Sequence, residues 1–204
     1  SELISRVENP DVLSTDSLKK VVDHWSQYWD RNLGGPNRAP KFPLPNSIEF
    51  LLHYGHELND GYTLSFVHTT LEEMARGGIY DQVGGGFARY STDVKWKVPH
   101  FEKMLYDNAQ LVTLYSRAFQ QAQNPEYEQV VRETLAFVER ELMDPDALFY
   151  SALDADSEGE EGKFYVWTKE EMKEVLGEDA DLAQEYFNLN HHGKWEGHFI
   201  PLRK

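Results

Sequence analysis

Residues 77–110 read GGIYDQVGGGFARYSTDVKWKVPHFEKMLYDNAQ, and the interpretation of the fold turns on them. A glycine-aromatic loop, Gly84-Gly85-Gly86-Phe87, leads through Arg89 and Tyr90 to Trp96 and then to Pro99. Proline is favoured in the first turn of a helix, where its missing N–H costs nothing. The segment therefore predicts a helix opening at Pro99, with His100 in its first turn. Helical periodicity places His100, Lys103 and Asp107 on one face. Glu102 projects elsewhere, where its charge suits the helix N-terminus and Tyr106 is its i+4 neighbour. An imidazole beside a carboxylate is common equipment for moving protons near neutrality. The same residues also suit a polar tie between helix and loop, because buried polar groups need partners whether or not they catalyse.

Outward from this stretch the pattern is helical. Leu18, Val21, Val22, Trp25 and Trp29 recur at helical spacing over 15–30, with Ser14 or Asp16 as cap. Asn32-Leu33-Gly34-Gly35-Pro36 stops that helix, and Pro40, Pro43 and Pro45 keep the next segment extended. Ile48, Leu51, Leu52 and Leu58 mark a second helix, closed by Asn59-Asp60-Gly61. A third, over 63–76, carries Leu64, Val67, Leu71 and Met74 on one stripe. On the other side, the helix expected after Pro99 runs through Leu105, Val112 and Tyr115 to Gln121. Asn124 and Pro125 open a fifth, striped by Tyr127, Val131, Leu135, Val138 and Leu142. Residues 148–153 and 163–167 then read as the two arms of a small β-hairpin across a Gly-rich turn. Thr168 and Glu171 form a capping box for a short helix, and a last helical piece covers 179–187. Helical hairpins alternating with elaborate loops stack on one another, and such loops gather a site at one end.

Composition bounds the function. The 204 residues suffice for one core. No apolar run is long enough to span a membrane, and the first residues lack the basic and apolar regions of a signal peptide. The absence of Cys excludes disulfide and dithiol chemistry for this segment and suits a cytoplasmic location. A net charge of -15 argues against nucleic acid and anionic membranes as partners. Between 141 and 185, fifteen Asp/Glu face three Lys, a balance of -12, which reads first as a solvated acidic face.

Other clusters are weaker. Asp154-Ala-Asp156-Ser-Glu158-Gly159 matches the start of a calcium loop, but the twelfth position is Tyr165 instead of Glu, so no metal is expected. In an extended segment Asp154, Asp156 and Glu158 share a face, an arrangement open to paired-carboxylate chemistry, to sugar hydroxyls or to solvent. Gly84-Gly85-Gly86 lacks the Lys-Ser/Thr of a phosphate loop. His53 and His56 share a helix face without an HExxH motif and read as packing residues, and His191-His192 lacks a third spaced ligand. Trp25 and Trp29 read as core. No cofactor is expected.

APKFP (39–43), the 77–111 stretch and SALDADSEGEEGKFYVWT (151–168) closely resemble the spermatogenesis-associated, thioredoxin-domain-containing family found from bacteria to animals. That resemblance implies an all-α chain: a partial (α/α) toroid of antiparallel helical hairpins with a small β-hairpin near 148–167. The toroid resembles N-acylglucosamine 2-epimerases and six-hairpin glycosidases. It further implies that residues 1–204 are the N-terminal portion of a six-hairpin toroid, with the family's thioredoxin-like domain absent from this chain. A carbohydrate ligand is then expected, with proton transfer by epimerisation, isomerisation or hydrolysis. The candidate catalytic residues are His100 as acid/base, Asp107 as its orienting carboxylate, and Glu102 or Asp154 as a second acid/base. Lys41, Arg89, Tyr90, Trp96, Lys103, Asp156 and Trp167 are candidate substrate contacts. The other reading is a non-catalytic binding module attached to the thioredoxin-like domain. An incomplete ring would leave apolar helix faces open to self-association.

Overall fold

A computed structural model describes residues 14–203; the expectation for the extreme N-terminus therefore lies outside the described residues. Helix α1 spans Thr15–Ser26, and the Ser14 side chain accepts from the backbone N–H of Ser17 at its start. Helix α2 spans Pro45–Glu57 and α3 spans Gly61–Arg76. The turn between them works because Asp60 caps α3, accepting from the N–H groups of Tyr62 and Thr63. Helices α4 (Leu105–Ala122) and α5 (Pro125–Phe137) repeat the device, with the Asn124 side chain accepting from Glu126 N–H. A π-helical turn, Val138–Leu142, ends α5.

These four helices form two antiparallel hairpins side by side. Helix α2 packs on α3 and on α4, and α4 packs on α5. Their apolar stripes meet in one core: Leu51, Leu52, Val67, Leu71, Met74, Leu111, Leu114, Tyr115 and Tyr127 are all shielded from solvent. Burying each such side chain stabilises by about 1.5–3 kcal/mol. The turns inside the hairpins are short, whereas the links into α2 and α4 are long. Those long links lie together at one end, because Lys41 and Ser91 exchange backbone hydrogen bonds and Trp96 Nε1 donates to Leu33 O at 2.7 Å. Among the described residues, no helix is long and apolar enough to cross a membrane.

The helix expected from Pro99 does not begin there. Residues 98–102 are extended, Lys103–Met104 form strand β1, and α4 starts at Leu105. The backbone N–H of His100 donates to Tyr90 O and that of Arg89 to Glu102 O, both at 2.9 Å. Pairing with the loop thus displaces the first helical turns. His100, Lys103 and Asp107 consequently do not share a helix face.

The hairpin expected across 148–167 is present in part and differently paired. Strand β2 (Ala152–Leu153) pairs with β1, not with 163–167. Strands β3 (Asp156–Ser157) and β4 (Glu160–Glu161) make a tight hairpin, and Lys163–Tyr165 is a 3₁₀ turn. Helices α6 (Lys169–Leu176, with the Thr168–Glu171 capping box) and α7 (Ala180–Tyr186) follow, then strands β5 (Lys194–Trp195) and β6 (His198–Phe199). This C-terminal part builds a second, smaller core of Phe101, Ala155, Ile200 and Leu202. His53 and His56, read as packing residues, are instead exposed on α2, where His53 Nε2 lies 3.3 Å from Arg117.

Candidate functional site

Three extended segments make the loop end: 41–42, 89–91 and 98–102. Extended backbone alternates its side chains, and this divides the motif in two. Phe101 and Lys103 turn inward and are almost completely buried, whereas His100 and Glu102 are only half-buried.

The inward side is saturated. Lys103 Nζ donates to Asp81 Oδ2 at 2.7 Å and to Gly85 O at 2.9 Å, and lies over the rings of Phe137 and Tyr165. Burial lowers its pKa and Asp81 pulls it back up. Asp81 also accepts from the N–H groups of Val83 and Gly84, so this pair pins the glycine loop to the helices. Lys41, fully buried, donates to Asp30 Oδ2 at 2.8 Å and sits 5.2 Å from the Trp96 ring. Burial pushes the Asp30 carboxyl up, but hydrogen bonds from Lys41 and from Leu33 and Asn32 N–H outweigh it and hold its pKa below the usual value. Trp96 has no exposed surface. Lys41, Trp96 and Lys103 are therefore packing and pairing residues here, not surfaces for a ligand, because each polar group they carry is already spent on the protein.

Asn108, which sequence reasoning passed over, belongs with them. Its Oδ1 accepts from Phe87 N–H at 2.7 Å while its Nδ2 donates to Phe87 O and Met104 O. It fixes the end of the glycine loop against the first turn of α4. A buried amide next to the charged Asp107 carries little sequence signal, since Asn in a first helical turn is ordinarily exposed.

The outward side leaves atoms unspent. Arg89 Nη1 lies 3.8 Å from Glu102 Oε2 and its guanidinium is 5.9 Å from the Tyr106 ring centre. Asp107, in the first turn of α4, has a buried Oδ2 without a hydrogen-bond partner among the described residues. Burial pushes its carboxyl above its ordinary value; Arg89 counteracts this and Glu102 adds to it. His100 does not meet Asp107 as its orienting carboxylate: its Nδ1 pairs with Glu161 Oε1 at 2.9 Å. Tyr90 stacks with both His100 and Phe42, with ring centres 5.0 and 4.7 Å away. Much of the Tyr90 ring is thus taken up by its neighbours, and the residue is half-buried.

Other candidates stand apart. Asp154 is exposed and caps its own turn, accepting from Asp156 N–H at 3.2 Å. Asp156 is also exposed, and Glu158 pairs with Lys163. Trp167 exchanges backbone hydrogen bonds with Phe199 and lines a cleft of about 400 Å³ with Phe164, Tyr165, Arg140 and Glu141, whose lining also includes the Asp81–Lys103 pair but none of Arg89, His100, Glu102 and Asp107. The structure thus joins Arg89, Glu102 and Asp107, joins Tyr90 and His100 to Phe42 and Glu161, sets Trp167 in the cleft on the Lys103 side, and leaves Asp154 and Asp156 outside. Phe42 and Glu161 were absent from the candidates because neither contact is local in sequence.

Paired helical hairpins with long loops gathered at one end define an (α/α) toroid. Solved structures agree on the fold. A sugar epimerase from a ruminal bacterium superposes with TM-score 0.59 at 14% identity, covering 74% of this chain and 43% of that one. A family 76 glycoside hydrolase from a bovine Bacteroides thetaiotaomicron strain gives TM-score 0.55 at 13% identity, covering 84% and 41%. In sequence, the chain is 44% identical over 189 residues to spermatogenesis-associated protein 20 of Homo sapiens, covering 85% of this chain and 24% of the human protein. An uncharacterized protein of Caenorhabditis elegans is 34% identical over 200 residues, covering 88% of this chain and 27% of its own length. The chain therefore spans about a quarter of the length of these curated relatives. No family model matches it.

Proposed function

We propose that this chain is the N-terminal portion of a six-hairpin toroid within a protein of the spermatogenesis-associated protein 20 kind, whose remaining length includes the thioredoxin-like domain. Its loop end handles a carbohydrate by proton transfer: epimerisation, isomerisation or hydrolysis. The observation that carries this reading is Asp107. A carboxyl whose pKa is raised by burial and by Glu102, with an oxygen left unpaired, is equipped to hold a proton and give it up. Arg89 offers a fixed positive charge to a developing oxyanion or a sugar hydroxyl, and Glu102 supplies the second carboxylate. The toroid neighbours include a sugar epimerase and a glycoside hydrolase, which supports carbohydrate as ligand class by fold analogy.

The test is turnover by the full-length protein on glucose, mannose, N-acetylglucosamine and maltose, followed by product analysis. Asp107→Asn and Glu102→Gln are expected to lower turnover by about 100-fold or more. Turnover unchanged in both variants would refute the assignment. A second reading, a binding module without catalysis, has its own support: Lys41, Trp96 and Lys103 are consumed by packing, and Asp154 stands apart from the cluster. It predicts saturable sugar binding with no product, weakened by Arg89→Ala.

A further inference from the structure

We propose that Glu161 is the positioning residue for His100, and that Nε2 of His100 is the nitrogen that exchanges a proton with the ligand. This rests on the proton-transfer reading above. An ionised carboxylate only accepts hydrogen bonds, so the Nδ1 that meets Glu161 at 2.9 Å carries the hydrogen. In the neutral ring Nε2 is then the lone-pair nitrogen, and it has no partner among the described residues. The ring's orientation is fixed from two further sides. One face stacks on Tyr90 at 18° between planes, and the His100 backbone N–H is held by Tyr90 O.

The acidic hairpin is built to deliver Glu161 to this place. Glu161 pairs with Asp156 across the β3–β4 turn, and the next residue, Gly162, donates its N–H to Ala155 O at 2.9 Å. Gly162 has φ +75 and lies on the ring of Phe101, where any Cβ would overlap the aromatic carbons. Two successive contacts therefore lock the hairpin onto the motif: Glu161 on His100 outside, and Gly162 on Phe101 inside. The solvated acidic face expected of this stretch thus contains one carboxylate with a specific job. Stability does not explain that job. With side chains one-third and one-half exposed, the His100–Glu161 pair belongs to the class of surface ion pairs with little effect on folding. In the proton-transfer step the Nε2 lone pair takes the proton of a ligand hydroxyl, or of the carbon beside its carbonyl. The broken bond's electron pair stays on the hydroxyl oxygen or moves onto the carbonyl oxygen as an enolate. Glu161 balances the imidazolium charge until Nε2 gives the proton back to form the product.

Two measurements test this. Nitrogen NMR of the intact chain with labelled histidine, at a pH where the ring is neutral, should show His100 as the Nδ1–H tautomer. Glu161→Ala should shift it toward the Nε2–H tautomer. Glu161→Gln, whose side-chain carbonyl still accepts, should restore Nδ1–H, a result that a merely structural role would not produce. On the sugar panel above, Glu161→Ala in the full-length protein should lower kcat about tenfold or more with KM little changed, and the thermal midpoint should hold. An Nε2–H tautomer in the unaltered chain, or kcat unchanged in both Glu161→Ala and His100→Ala while Asp107→Asn is inactive, would overturn this inference and leave the proton-transfer reading standing. Full turnover in both Asp107→Asn and Glu102→Gln would instead remove that reading.

Discussion

Lys103 and Asp107 are four residues apart, yet the structure uses their charges in opposite ways. Lys103 is buried with two hydrogen bonds and two aromatic rings around its ammonium. Asp107, less buried, keeps an oxygen unpaired beside Arg89 and Glu102. One charge is spent on holding the loop, the other keeps an oxygen without a partner among the described residues. Density of ionisable residues in a glycine-aromatic motif therefore does not say which of their atoms are free to meet a ligand; the pairing does.

The largest effect should come from breaking the spent side. Lys103→Met strands Asp81 without its cation and should cost about 3–5 kcal/mol in urea unfolding. Lys103→Met with Asp81→Asn should recover part of that, and a cost below about 1 kcal/mol for the single change would show the pair to be ordinary surface charge. Next comes Gly86→Ala. With φ +81 and the Phe137 ring where a Cβ would go, a loss of about 1–3 kcal/mol is expected; a neutral result would mean the loop shifts freely.

The smallest effect sharpens the other side and has the opposite sign. Because the folded-state pKa of Asp107 is raised, the native chain binds more protons than the unfolded chain just above the ordinary Asp pKa of about 3.9. Ionisation of Asp107 therefore costs stability as pH rises through its folded pKa. Asp107→Asn should raise the urea midpoint modestly near pH 7 and leave it unchanged at about pH 3, where both states are protonated. A residue that gains stability when its proposed activity is lost fits the usual trade between the two. A midpoint that falls at pH 7 would place Asp107 with Lys103 among the structural charges.

The helices were legible because their signals are local. Ser14, Asn124-Pro125 and the Thr168–Glu171 box start helices through contacts within four residues. The stretch after Pro99 was misleading for the same reason. Proline and the spacing of His100, Lys103 and Asp107 satisfy a helix locally, and the inward turn of a lysine disguises the alternation of an extended segment. What decided the matter was the backbone of residues 89–91, which takes up the N–H of His100 and the carbonyl of Glu102.

The sequence by itself determined the helical hairpins, the loop end as the place where chemistry-bearing residues collect, and most of the residues found there. Only the tertiary structure decided which of them are free. Side-chain pairing between Lys41 and Asp30, Lys103 and Asp81, or His100 and Glu161 spans 11, 22 and 61 positions. Periodicity reports which way a side chain faces along one element, but a hydrogen bond is a short-range event between elements. Whether an ionisable group is spent or available is settled where those elements meet.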